Sequence, residues 1–437
     1  MLRRSFEGLS GKNKIIKSNI KWHSFSEECH FFYTHKHDTY IMKKIKTLLA
    51  ISLLSISHIA IGQNNDRIPF TMDGHLHFNA IIADSVNARL IFDSGCPYLL
   101  LDSSFVAEHE NMVGKTIEAV MRGFGGGFEK ARMTTEPLKY SVGNIDDISN
   151  VTPIMNLRKI VGCDVDGLFG LPFCLNKVVE FDFENNYIVV HDSLFVPDNS
   201  YMLIDKAVVR NDNILLPLDF AVDDNTTISG MFCMDMGAPE GIYLTHATAD
   251  NYGLKSKISD KMMFKNLVGG IGGGSEDVDF VGKAVTIAGK TIDTITSNYS
   301  LNMGGAAGKA QNLYLGMVGT EILKHFDIVV DYPHKKLYMR KKEKPIVAKI
   351  PTRRGFSVRY SDCTKTTYIV HNIMKNHPLA VENNIQLGDT VLMINGINPA
   401  EYNFDNPSDK MVLTIQRGDK IIVVDNPRIY LNDTSAF

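Results

Sequence analysis

At 437 residues, with 44% hydrophobic and 22% charged content, the chain has room for two or three globular domains and is too apolar for wholesale disorder. Its formal net charge of -3 comes from mixed signs without long single-sign blocks, so nucleic acid is not an expected partner. A count of 34 glycines against 15 prolines, among Val, Ile, Thr and Tyr runs, points to a β-rich protein with tight turns.

The first informative segment begins at Met42. Met42-Lys43-Lys44-Ile45-Lys46 is a basic start, residues 47–61 are apolar, and Ala60-Ile61-Gly62 ends the stretch with small residues. That three-part build predicts a signal peptide over 42–62, too short for a comfortable membrane span, so no transmembrane segment is expected in the mature chain. Residues 1–41 then read as an upstream extension outside the mature protein, although they hold His23, Cys29, His30, His35 and His37. Setting them aside leaves Cys96, Cys163, Cys174, Cys233 and Cys363, an odd number with no Cys-x-x-Cys spacing. At least one is free, and a disulfide framework is not what should hold the fold.

Further along, one order of elements occurs twice. Ala88-Arg89-Leu90-Ile91-Phe92-Asp93-Ser94-Gly95 is a strand running into an Asp-x-Gly turn, and Gly230-Met231-Phe232-Cys233-Met234-Asp235-Met236-Gly237 repeats it. An apolar strand follows each, at Tyr98-Leu99-Leu100-Leu101 and at Ile242-Tyr243-Leu244. Then come glycine clusters, Gly123-Phe124-Gly125-Gly126-Gly127 and Gly269-Gly270-Ile271-Gly272-Gly273-Gly274. Finally DGLFGLPFCLNKVVEFDFENNYIVVHD (166–192) matches LGMVGTEILKHFDIVVDYPHKKLYMRK (315–341), placing Gly167, Gly170 and Asp182 on Gly316, Gly319 and Asp331 without gaps. Each copy predicts a Gly-apolar-apolar-Gly turn, a short helix and a strand pair. Neither glycine cluster has the Gly-Lys-Ser/Thr ending of a phosphate loop, and His191, His246, His325 and His334 lack paired metal spacing.

Duplicated β-rich halves can pack about a pseudo-two-fold axis and set Asp93 against Asp235. Two carboxylates held close share a proton, so one can activate a water while the other protonates a carbonyl, with no metal or cofactor required. The glycine hairpins, with Gly125 and Gly126 in one and Gly272 and Gly273 in the other, can close over an extended peptide as flaps.

These residues resemble the retropepsin and pepsin class of aspartic proteases, in particular bacterial two-lobe members with a signal peptide and a C-terminal PDZ domain, over about residues 67–437. The resemblance implies a mainly β, bilobal acid-protease fold with lobes at 63–200 and 201–342. It implies Asp93 and Asp235 as catalytic, Ser94, Gly95 and Gly237 as supports in the loops, and Gly170 and Gly319 as supports beneath them. Where the family carries Thr or Ser after each Asp, this chain has Ser94 in the first loop and Met236 in the second, and Cys96 replaces a Ser or Ala. The expected activity is endopeptidase cleavage of protein or peptide substrates by an exported enzyme, periplasmic or secreted. The rival is an inactive homologue that binds peptides in the cell envelope.

After a charged, proline-marked exit near Pro345, residues 343–437 read as a third domain. Tyr368-Ile369-Val370-His371-Asn372-Ile373 predicts a strand and residues 377–385 a short helix. Leu387-Gly388-Asp389 marks a tight turn into a strand ending at Asn395-Gly396. The order resembles a PDZ domain, which implies Gly355-Phe356-Ser357 as a loop holding a peptide C-terminal carboxylate; residues 399–410 are short where that family has its second helix.

Overall fold

Alternating burial runs through most of the chain and makes it a mainly β protein with curled sheets. The strand Leu76–Ile82 shows the cause: Leu76, Phe78, Ala80 and Ile82 point into the core, while Asn79 and Ile81 face out. The computed structural model describes residues 67–121, 127–257, 263–266, 270–300, 313–343, 352–353, 355–375, 384–403, 410–427 and 429–430. The expected upstream extension (1–41), the expected signal peptide (42–62), Gly125, Gly126 and most of the helix expected at 377–385 lie outside the described residues. Among those described, no helix is long and apolar enough to cross a membrane.

The sequence repeat meets itself in a six-stranded sheet. Strand Val178–Asp182 pairs antiparallel with Phe326–Asp331, in the register Val178↔Asp331, Glu180↔Val329 and Phe181↔Ile328. Glu180 and Val329 occupy equivalent places in the two copies, so the copies face each other symmetrically about that pair. Every residue of Phe326–Asp331 is buried, as befits a strand covered on both faces. Each strand leads into a hairpin whose turn ends on a left-handed residue, Asn186 (φ 58°) in one copy and Lys335 (φ 57°) in the other. The duplicated aspartates cap these turns: Asp182 Oδ1 accepts the N–H of Asn185 at 2.9 Å, and Asp331 Oδ1 accepts that of His334 at 3.0 Å. Both are therefore structural.

Two larger sheets carry the Asp turns. In one, Val86–Asp93 runs parallel to Gly167–Gly170, with Gly170 beside Asp93; in the other, Thr227–Met234 runs parallel to Gly316–Val318. Short antiparallel strands, Leu100–Asp102 and Ile242–Leu244, flank the glycine strands on their other sides.

The second of these sheets continues into the C-terminal segment. Strand Tyr368–Met374 pairs with Met263–Asn266, placing Met374 opposite Phe264 and Asn372 opposite Asn266. A small core of Phe356, Val370, Ile385, Ile394, Leu413 and Ile415 holds that segment together. A disulfide between Cys163 and Cys363 ties it to the first half, and the Arg359 guanidinium donates to Ile160 O beside it (3.3 Å). Cys96, Cys174 and Cys233 are free and buried, so the cysteines supply a single long-range staple rather than a framework.

Candidate functional site

Each Asp turn is built by its own backbone. Asp93 Oδ1 accepts the Gly95 N–H at 2.7 Å, and its carbonyl accepts the Cys96 N–H at 3.0 Å. The second loop repeats the pattern: Asp235 Oδ1 takes the Gly237 N–H at 2.9 Å and Asp235 O the Ala238 N–H at 3.4 Å. The Asp-x-Gly spacing produces this because a side-chain oxygen two residues back can close the turn in place of a backbone group. Gly170 and Gly319 lie directly beneath, pressed on backbone carbonyls of Cys96 and Asp93 in one case and of Ala238 and Glu240 in the other. A side chain at either position would push its loop upward.

The two loops meet. A methyl group at Gly237 would fall 2.6 Å from Asp93 Oδ1, and one at Gly95 would lie 3.8 Å from both carboxylate oxygens of Asp235. Each carboxylate thus sits over the glycine of the other loop. Ser94 bridges them: its hydroxyl donates to Met234 O at 2.9 Å and accepts the Met236 N–H at 2.8 Å, wholly out of contact with water. Met236 returns no such bond. Its thioether is fully buried in the main hydrophobic core, where it packs as an apolar filler.

Burial drives the electrostatics. Asp235 is pushed up to about 7, first by desolvation and then by the charge of Asp93. Asp93 is also raised by desolvation, against the lowering effect of the Gly95 and Cys96 N–H groups. The pair therefore holds one proton over a wide range below neutrality. Burial and the same aspartates push the Cys96 thiol well above its ordinary value, so it is no nucleophile.

Above the loops, strands Thr116–Met121 and Glu129–Thr134 form one hairpin, and Met263–Asn266 with the start of Ser275–Ile287 forms another. They touch at their glycines: the Gly127 N–H donates to Gly272 O at 2.9 Å. Gly272 and Gly273 have φ of 106° and 109°, which side chains rarely adopt. Ile271 packs across against the cluster of Ile91, Cys96, Leu100 and Leu168 in the first half. At the base of the second hairpin, Asn266 donates to Ser275 Oγ (3.2 Å) and Asp277 Oδ2 (2.8 Å).

Among the residues expected to hold a carboxylate, only Gly355 lies before the strand, with φ 77°; Phe356 and Ser357 are already paired with Ile373 and Asn372 in strand Phe356–Tyr360. The apolar-polar alternation of that stretch extends the strand to its very start. Of the histidines, His191 meets Glu180 at 2.8 Å and His334 meets Asp331 at 2.8 Å, each serving an intramolecular pair. A different cluster escaped sequence reading. Asp73, His75 and His77 bring their ligand atoms within 4.8 Å of one another, and the signal was an Asp-x-His-x-His alternation at a hairpin turn.

No family model matches this chain, and no curated protein matches it.

Proposed function

We propose that the protein is an aspartic endopeptidase, with Asp93 and Asp235 acting as one acid–base unit on a water and an extended peptide lying beneath the two glycine hairpins. The observation that carries this reading is the reciprocal seating of the two carboxylates, each over the glycine of the other loop, with Ser94 bonded across between them. In the reaction the ionised carboxylate takes a proton from water as the oxygen attacks the scissile carbonyl carbon. The protonated partner gives its proton to the carbonyl oxygen, forming a neutral tetrahedral diol. Collapse breaks the C–N bond, the nitrogen takes the proton from the first carboxyl, and the pair returns to its singly protonated state. The hairpin contact from Gly127 to Gly272 suits water exclusion during these steps.

On this reading the chain is a bilobal acid-protease homologue with a PDZ-like C-terminal module, exported by its N-terminal segment. One observation favours a second reading, a peptide-binding protein without catalysis: the second loop carries a buried Met236 where a hydroxyl would complete the cross-loop pairing. Cleavage of a mixed peptide library between pH 3 and 7, read by mass spectrometry, separates the two. Catalysis predicts cleavage that Asp93→Asn and Asp235→Asn each abolish. Peptide retention without cleavage, by folded wild-type chain, would establish the second reading instead.

A further inference from the structure

Away from the paired aspartates, the hairpin from strand Thr71–Met72 into Leu76–Ile82 collects three metal-ligating side chains. Met72 pairs with Leu76 and Thr71 with His77, while the Asp73 N–H reaches His75 O across the turn (3.4 Å). Alternation therefore sends Asp73, His75 and His77 to one face of the hairpin. Asp73 Oδ1 lies 2.7 Å from His77 Nε2 and also accepts the His75 N–H at 3.4 Å.

We propose that Asp73, His75 and His77 form a binding site for a zinc-class divalent cation. Two imidazole nitrogens and one carboxylate oxygen, mutually within 4.8 Å, need only a small contraction to reach the roughly 2.0–2.2 Å bonds such an ion takes. The donor set suits zinc and its neighbours over magnesium or calcium, which favour oxygen ligands. His77 is 5% exposed and its Nδ1 has no hydrogen-bond partner, an arrangement that the Asp73 contact leaves half explained. The His75 ring is kept neutral by burial and by the neighbouring His77, and Asp73 is held ionised by its bonds to His77 and His75, so all three groups are in ligating form near neutral pH. Because Asp73 is exposed, the fourth position opens to solvent.

The location gives the ion a structural consequence. Between Asp73 and His75, Gly74 adopts φ 113° and abuts Pro239, four residues past Asp235. Its carbonyl accepts the Thr320 hydroxyl at 2.6 Å, and the same hydroxyl reaches Ala238 O at 3.1 Å. A cation bridging 73 to 77 would stiffen the turn that props the second Asp loop from below. The site belongs to the first half alone, since nothing at the equivalent positions of the repeat supplies His or Asp in that pattern.

Cobalt(II) titration of the purified full chain tests this through its visible absorption, with zinc added afterwards to displace it. The chain contains other histidines and free cysteines, so the deciding quantity is the difference between wild type and the variants Asp73→Asn and His75→Gln. Both positions are at least partly open, so the variants should fold, which circular dichroism verifies. The expected result is one cobalt site in wild type that zinc displaces, weakened by about tenfold or more in each variant. Zinc should also raise the melting temperature of wild type and leave that of Asp73→Asn unmoved. Equal cobalt binding by all three folded proteins, or none by wild type, would overturn the assignment. Neither outcome depends on whether the chain cleaves peptides.

Discussion

The two Asp loops share one backbone plan and differ at one side chain. In both, a carboxylate closes its turn through the glycine N–H and a carbonyl takes the next N–H. Ser94 crosses to the opposite loop twice, while Met236 turns into the core and contributes only volume. The comparison teaches that the cross-loop tie needs one hydroxyl, because a single serine oxygen can donate to one strand and accept from the other. The second hydroxyl position is then free to become packing.

The sharpest way to test the shared plan is to crowd it. A methyl group at Gly237 would stand 2.6 Å from Asp93 Oδ1, whereas one at Gly95 would stand 3.2 Å from the same oxygen and 3.8 Å from Asp235. Gly237→Ala should reduce cleavage at least about a hundredfold and destabilise the fold by about 1–3 kcal/mol, since the buried carboxylate must move. Gly95→Ala should keep measurable activity. Peptide cleavage rates with parallel urea unfolding give both quantities, and equal losses at the two glycines would refute the asymmetry.

The difference between the loops predicts unequal substitutions at 94 and 236. Ser94→Ala strips partners from Met234 O and the Met236 N–H, both buried, and should destabilise by about 2–4 kcal/mol. Met236→Leu conserves volume in a fully buried place and should change stability by about 1 kcal/mol or less. Urea midpoints measured on the two variants decide the matter. A larger loss in Met236→Leu would mean that the thioether does more than fill space.

What was legible in the sequence follows the same division. Asp93-Ser94-Gly95, Asp235-Met236-Gly237 and the Gly167/Gly170 and Gly316/Gly319 pairs could be read because their geometry is local: tight turns and close backbone approach demand those residues wherever they occur. The strand pair after each was readable for the same reason, down to the capping aspartates Asp182 and Asp331. Contacts between distant segments left no local mark. Nothing in the text of the chain announces that Glu180 will face Val329, that Ser94 will span 140 residues to Met234, or that Cys163 will meet Cys363 across 200. The pairing of Tyr368–Met374 with the base of the second glycine hairpin is equally silent, since both are ordinary strands. Asp73-Gly74-His75 was hidden differently: it reads as a polar turn, and only the strand on either side reveals that its donors share a face with His77.

The smallest effect is one of pH, and it probes the pair as a unit. Asp235 is raised to about 7 from 3.8, first by desolvation and then by Asp93, which is itself raised by desolvation. Between about pH 4 and 7 the folded chain therefore holds a proton that the unfolded chain has released. Stability contributed by that proton is present below the unfolded value and is lost as pH rises towards 7. Other groups pull the opposite way over part of the range. His325, lowered to about 4 by burial and then by nearby lysines, is more easily kept neutral in the fold as pH rises, and Glu180, although burial opposes it, is lowered by His191 and Tyr201. The difference between wild type and Asp235→Asn isolates the pair, because those groups are common to both. Asn removes one of the two charges, so the variant should lose less melting temperature than wild type between pH 4 and 7. The gap between their curves should shift in its favour by a few degrees, in line with about 1 kcal/mol at this chain length. Parallel curves across that range would show that the two carboxylates do not share a proton, and the acid–base unit would lose its physical basis.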